Sequence, residues 1–178
     1  MRGKWLSLVA ALTVAAVGCG QGRAIFDIDV FSFLRATNAD TLPYVGPLPP
    51  GIPDTIPVQT IRSLGIGSSS LVDTVRISGS VDFVNRSGTG SVTFQVYFDT
   101  VKSAVYTSTP AFSVSGPVTP GVTTSSPFVI PDLSTALKPM FLASTVYVGI
   151  RASATGTIAG TAKLTALRAR IVIQDKLF

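Results

Sequence analysis

Apolar and polar side chains alternate along most of the chain from residue 24 onward. In AIFDIDVFSFL, residues 24–34, Phe26, Ile28 and Val30 fall on one face and Asp27 and Asp29 on the other, the period of a half-buried strand. At Phe31 and Phe33 the phase slips to the aspartate side, which predicts a bulge or a strand passing between sheets. Leu71, Val75, Ile77, Val81 and Phe83 share one parity, and Val92, Phe94, Val96 and Phe98 share the next. The intervening Arg86-Ser87-Gly88-Thr89-Gly90 supplies turn residues, so a hairpin is expected. Shorter strands are expected around 104–107, 111–114 and 127–130, with a turn at Pro120-Gly121. Val146, Val148 and Ile150 form another apolar face, turns follow at Gly156 and Gly160, and a last strand sets Ala169, Ile171 and Ile173 against Arg168 and Arg170. The single helix expected spans 132–138, capped by Asp132 and limited by Pro139. About eight short strands with one short helix predict an all-β fold, an immunoglobulin-like antiparallel β-sandwich rather than a barrel.

Residues 36–57 interrupt this pattern with six prolines, which excludes a helix and disfavours a central strand. Loops longer than about 15 residues are usually functional or disordered. Leu42, Tyr44, Val45 and Leu48 are therefore candidate partner contacts, the alternative being a crossover that covers one end of the sandwich.

The opening 18 residues differ from the rest of the chain. Arg2 and Lys4 precede an uncharged run from Trp5 to Val17, too short for the roughly 20 residues that span a bilayer, and small residues follow. This is the layout of a secretory signal. Ala16-Val17-Gly18-Cys19 resembles the lipobox of bacterial lipoproteins, with Ala16 where that family prefers Leu. The resemblance implies cleavage before Cys19, a diacylglyceryl group on its thiol and acylation of the new amine. Two or more acyl chains give stable anchoring, whereas an unmodified Cys19 would be a lone thiol in an oxidising compartment. The expected organisation is a signal peptide over 1–18, a lipidated cysteine and tether over 19–23, and one β-sandwich domain over 24–178. Gly20 in place of Asp points to the outer membrane if the organism is diderm.

Hydroxyls supply most of the polarity, since 20 Thr and 19 Ser outnumber the 23 charged residues. The formal charge of +5 falls to +3 without Arg2 and Lys4, too mild an excess to suggest a nucleic-acid partner. With no His, no Glu and one Cys in the chain, the usual zinc sites, disulfides and Ser-His-Asp or Cys-His catalysis are excluded, and no cofactor or metal is expected. Asp27 and Asp29 could help hold calcium, but a solvated strand face explains them better. Thr135-Ala136-Leu137-Lys138 is the nearest approach to a Ser-Lys motif and lacks its partner elements. Asn85-Arg86-Ser87 fits a glycosylation sequon and reads as a turn. Lys163, Arg168, Arg170 and Lys176 form a basic stripe that could meet lipid headgroups or acidic glycans, the alternative being charge that protects an edge strand.

The run SGSVDFVNRSGTGSVTFQVYFD, residues 78–99, resembles the strand, asparagine turn, strand unit of late-embryogenesis-abundant type 2 domains, which are small β-sandwiches. That family has Asn-Pro where this chain has Asn85-Arg86. The reading that emerges is a non-catalytic, lipid-anchored bacterial envelope protein that binds or assembles with another envelope protein or glycan. A structural or stress-protective component and a hydrolase using Asp, Ser or Lys are the alternatives.

Overall fold

The computed structural model describes residues 22–49, 54–62 and 70–175. The signal-like segment, Cys19 and Lys176 lie outside them. The strands are β1 (Gly22–Asp29), β2 (Thr41–Gly46), β3 (Gln59–Arg62), β4 (Ser70–Ser87), β5 (Gly90–Asp99), β6 (Phe112–Val118), β7 (Thr123–Ile130), β8 (Thr145–Thr155) and β9 (Ile158–Asp175), with one helix, α1 (Val30–Ala36), between β1 and β2. They form an antiparallel sandwich. Sheet A has the order β1-β9-β4-β7, with β2 also on β9, and sheet B the order β3-β8-β5-β6. β1 covers one half of β9 and β2 the other, so the two act as one strand interrupted by α1. Counted so, the eight strands run in the order of a jelly roll.

The core lies between the sheets, where Phe83, Ile77 and Ile171 of sheet A meet Phe94, Phe98 and Ile150 of sheet B. Burying each such side chain contributes about 1.5–3 kcal/mol. The cavity left among Ile28, Ile61, Phe98 and Phe141 measures about 20 Å³, room for one water at most. Around this cavity the described residues of the interior are closely packed.

The phase slip after Asp29 is a helix, not a bulge. Asp29 accepts hydrogen bonds from the Ser32 amide at 3.3 Å and its hydroxyl at 2.7 Å, which caps the first turn. Val30 and Leu34 then share a helical face and are buried, while Phe33 is exposed. Asn38 ends the excursion at a φ of 54°.

The hairpin expected between residues 71–83 and 92–98 does not form. β4 belongs to sheet A and β5 to sheet B, so the chain arches across the core at Gly88 and Thr89. Gly88, at a φ of 74°, lies so close to the Thr157 carbonyl that any Cβ would collide with it. Asn85 is not in the turn; it is buried in β4, where its amide donates to the Gly88 carbonyl at 2.7 Å. Its backbone carbonyl and amide meet Gly121 and Val122 of the next crossing.

Other expectations shift for local reasons. A bulge between Val72 and Thr74 turns Val72 inward and leaves Leu71 63% exposed. Residues 104–107 form no strand but follow a 3₁₀ turn at Lys102–Ala104. Gly160 lies within β9, and a Cβ there would strike the Tyr44 hydroxyl.

No α-helix forms over 132–138, because the start of the segment pairs with β4 instead. The Asp132 carboxylate accepts from the Val75 amide at 3.0 Å, and the Leu133 amide donates to the Val75 carbonyl at 2.8 Å. They satisfy β4 just beyond the last β7 pair, Ile77 with Ile130. Lys138 then bridges Asp132 at 2.6 Å and the Asp73 carbonyl at 2.7 Å.

Candidate functional site

The outward face of sheet A carries a dense cluster of charge. Side by side across β1, β9 and β4 lie Asp27, Arg170 and Arg76, and in the next row Asp29, Arg168 and Ser78. Arg170 reaches Asp27 at 3.9 Å, and both side chains are more than half exposed. Arg76 has no carboxylate within ion-pair distance among the described residues, and it stands directly opposite Arg170. Like charges so placed weaken a sheet slightly, which makes the pair available to an anion. Two open depressions mark the surface, about 430 Å³ beside Asp29 and Arg168 and about 220 Å³ among Arg76, Arg168 and Arg170.

The aspartates are already engaged. Ser32 holds the Asp29 carboxyl below its usual range, mainly through its hydroxyl hydrogen bond, with Arg168 adding to the shift. Among the described residues no three metal-ligating side chains converge. Lys163 sits on the same outward face further along β9, between Thr41 and Asp82. The structure thus brings Lys163, Arg168 and Arg170 onto one face and adds Arg76. It also removes the edge-protection explanation, because β9 is flanked on both sides, by β1 and β2 on one and β4 on the other.

The outward face of sheet B holds a site that strand periodicity does not reveal. Arg151 of β8 has its guanidinium 5.6 Å from the Tyr97 ring centre and 5.5 Å from that of Tyr106, and the two rings meet edge to face. Its Nε lies 3.3 Å from the Asp54 carboxylate, and Nη1 donates to the Tyr97 hydroxyl at 3.4 Å. Val105 and Tyr106 crowd Gly149, where a Cβ would come within 2.5 Å of Val105 Cγ1 and 2.7 Å of the Tyr106 ring. Its hydroxyl donates to the Ile56 carbonyl and accepts from the Ile150 amide at 3.2 Å. Burial pushes that hydroxyl's pKa up. This cluster clamps residues 54–56 onto β8, assisted by the Ile56 amide to the Ile150 carbonyl at 3.0 Å. Apart from Arg151 Nε, which is buried and approaches Asp54 without a hydrogen bond, its polar groups bond within the cluster and to the backbone, so it acts as a fastener.

The proline-rich segment corrects another expectation. Leu42 and Tyr44 are 4% and 1% exposed, so they are core residues and cannot contact a partner. The reason is β2, whose alternation turns both inward when it pairs with β9. The Tyr44 hydroxyl lies 3.4 Å from the Asn85 side-chain oxygen. Val45 is half-buried, and Leu48 alone of the four is exposed.

No protein-family model and no curated protein sequence matches the chain. Among solved structures it is similar to a chain of the T13 infectious bursal disease virus particle, with 13% identity, a TM-score of 0.39, and coverage of 86% of this chain and 35% of the viral one. The infectious bursal disease virus Gx strain gives 15% identity, a TM-score of 0.37 and coverage of 88% and 34%. A chain from the disulfide-linked pili of Bacillus endospore appendages gives 16% identity, a TM-score of 0.24 and coverage of 89% and 88%. The chain spans about a third of the length of the viral chains, and likenesses this low carry no functional argument.

Proposed function

We propose that the protein is a lipid-anchored component of a bacterial envelope whose β-sandwich is a non-catalytic binding or assembly module. The observation that carries this reading is the apolar run ending in Ala16-Val17-Gly18-Cys19. Only Gly20 and Gln21 separate Cys19 from Gly22, where β1 begins, and the three residue steps span only about 11 Å even fully extended. A lipid on Cys19 would hold the sandwich against the membrane. On this reading Lys163, Arg168, Arg170 and Arg76 offer an anionic lipid or glycan surface a set of donors on one open face.

Cell fractionation with intact-mass measurement tests the anchor. The wild-type protein is expected in the membrane fraction, starting at Cys19 and carrying acyl mass, and Cys19→Ser is expected in the soluble fraction. A free thiol on Cys19, or wild-type protein released to the medium, would reject the reading.

A further inference from the structure

The strands at the sheet margins are blunted unequally. β2 carries Pro43, β6 Pro117 and β7 Pro127, each of which removes a backbone donor from its strand, and β3 is only four residues long. β1 has none of these devices. It is eight residues long, has no proline, and pairs only with β9 among the described strands. Among the described residues its second edge is unpaired by any strand and therefore presents a ladder of backbone donors and acceptors.

The side chains on that edge are self-complementary. Outward lie Arg23, Ile25 and Asp27 in succession, with Ile25 53% exposed. Inward lie Ala24, which is exposed, and Phe26 and Ile28, which are half-buried. An antiparallel copy centred on Ile25 would set Ile25 against Ile25, each Arg23 against the other copy's Asp27, and each Ala24 against the other copy's Phe26. Cross-strand pairs of these kinds are favourable.

We infer that β1 is a homodimerisation edge, pairing antiparallel with β1 of a second copy about a two-fold axis at Ile25. Such an axis runs perpendicular to the sheet, so the outward faces of both A sheets share one side. The pairing covers the exposed apolar residues of both faces at once, and it gives Arg23 and Asp27, whose own-chain partners Asp73 and Arg170 stand at the long distances of 3.8 and 3.9 Å, a second partner of opposite charge. It does not depend on lipidation.

The test uses the full chain carrying Cys19→Ser, which removes the native thiol and any acyl group. Sedimentation is expected to show a concentration-dependent dimer. Residues opposite one another in an antiparallel pair have Cα atoms about 4.5–5.5 Å apart, within disulfide reach. Ile25→Cys should therefore cross-link rapidly under mild oxidant, while Val129→Cys, equally exposed on β7, should not. Arg23→Asp and Asp27→Arg should each lose the dimer alone and regain it when mixed, because mixing restores both ion pairs. Purely monomeric sedimentation, equal cross-linking of the two cysteine variants, or no recovery on mixing would overturn the inference. Melting of each variant confirms that the monomer is folded.

Discussion

The two outer faces of the sandwich each carry arginine, in opposite circumstances. On sheet B the Arg151 side chain is 32% exposed, flanked by two tyrosine rings and joined to Asp54. On sheet A the Arg170 side chain is 54% exposed, with a single carboxylate at 3.9 Å. The first is committed to the fold, since its ion pair and both ring contacts are partly desolvated and so strengthened, although its Nε makes no hydrogen bond. The second adds little to stability and leaves most of its donors in solvent. Where an arginine sits between aromatic rings it fastens, and where it stands among solvated neighbours it can recognise.

The largest effect expected is at Gly149. A valine there would drive into Val105 and Tyr106 and push the tyrosine from β8, loosening the clamp on residues 54–56, at a cost of about 2–3 kcal/mol in urea unfolding. A neutral outcome would mean that Val105 and Tyr106 are not held against Gly149.

The comparison itself is put to the test by removing each charge at similar volume. Arg151→Met should cost about 1–3 kcal/mol, because it leaves Asp54 unpaired and the cation–π contacts unmade. Arg170→Met should stay within about 0.5 kcal/mol while weakening binding of the unlipidated Cys19→Ser chain to anionic vesicles. Equal losses of stability would erase the distinction between the faces.

The smallest effect is acid sensitivity at the margin of sheet A. Lys138 and the Val75 amide hold the Asp132 carboxyl below its ordinary value of 3.8, and Ser32 does the same for Asp29. A carboxyl depressed in the folded state contributes stability above its unfolded pKa and loses it as pH falls through the folded value. Unfolding measured against pH should therefore steepen below about pH 3.8, and Asp132→Asn should flatten that part of the profile. Hydrogen exchange near Val75 should accelerate before exchange in the β5–β8 pair.

Much of this architecture is readable from residue order alone. Alternation in 75–83, 92–98, 146–150 and 169–173 identifies strands and their buried faces, because burial of one face imposes period two on any sheet. The same alternation is silent on neighbours. A strand facing its successor across a core and one lying beside it bury the same parity, so residues 71–98 read as a hairpin while β4 and β5 sit in opposite sheets. For that reason periodicity does not distinguish an immunoglobulin-like connection from a jelly roll; the strand order of the two sheets does. Arg168 and Arg170 were evident as an exposed pair, but Arg76 joined them only through the register of β4 on β9.

The sequence by itself determined the all-β class, the inward residues of the long strands, the absence of histidine chemistry and the lipobox-like stretch at Cys19, because composition and period are properties of the chain alone. Tertiary structure decided the rest. It buried Leu42 and Tyr44 in a segment whose prolines suggested a loop, since β9 offered β2 a ladder that tolerates Pro43 at the margin. It held Asp132 against Val75 rather than in a helix, and it closed Arg151 between tyrosines nearly 10 residues apart in sequence. Such pairings draw their free energy from partners far along the chain, and no local pattern records where those partners will be.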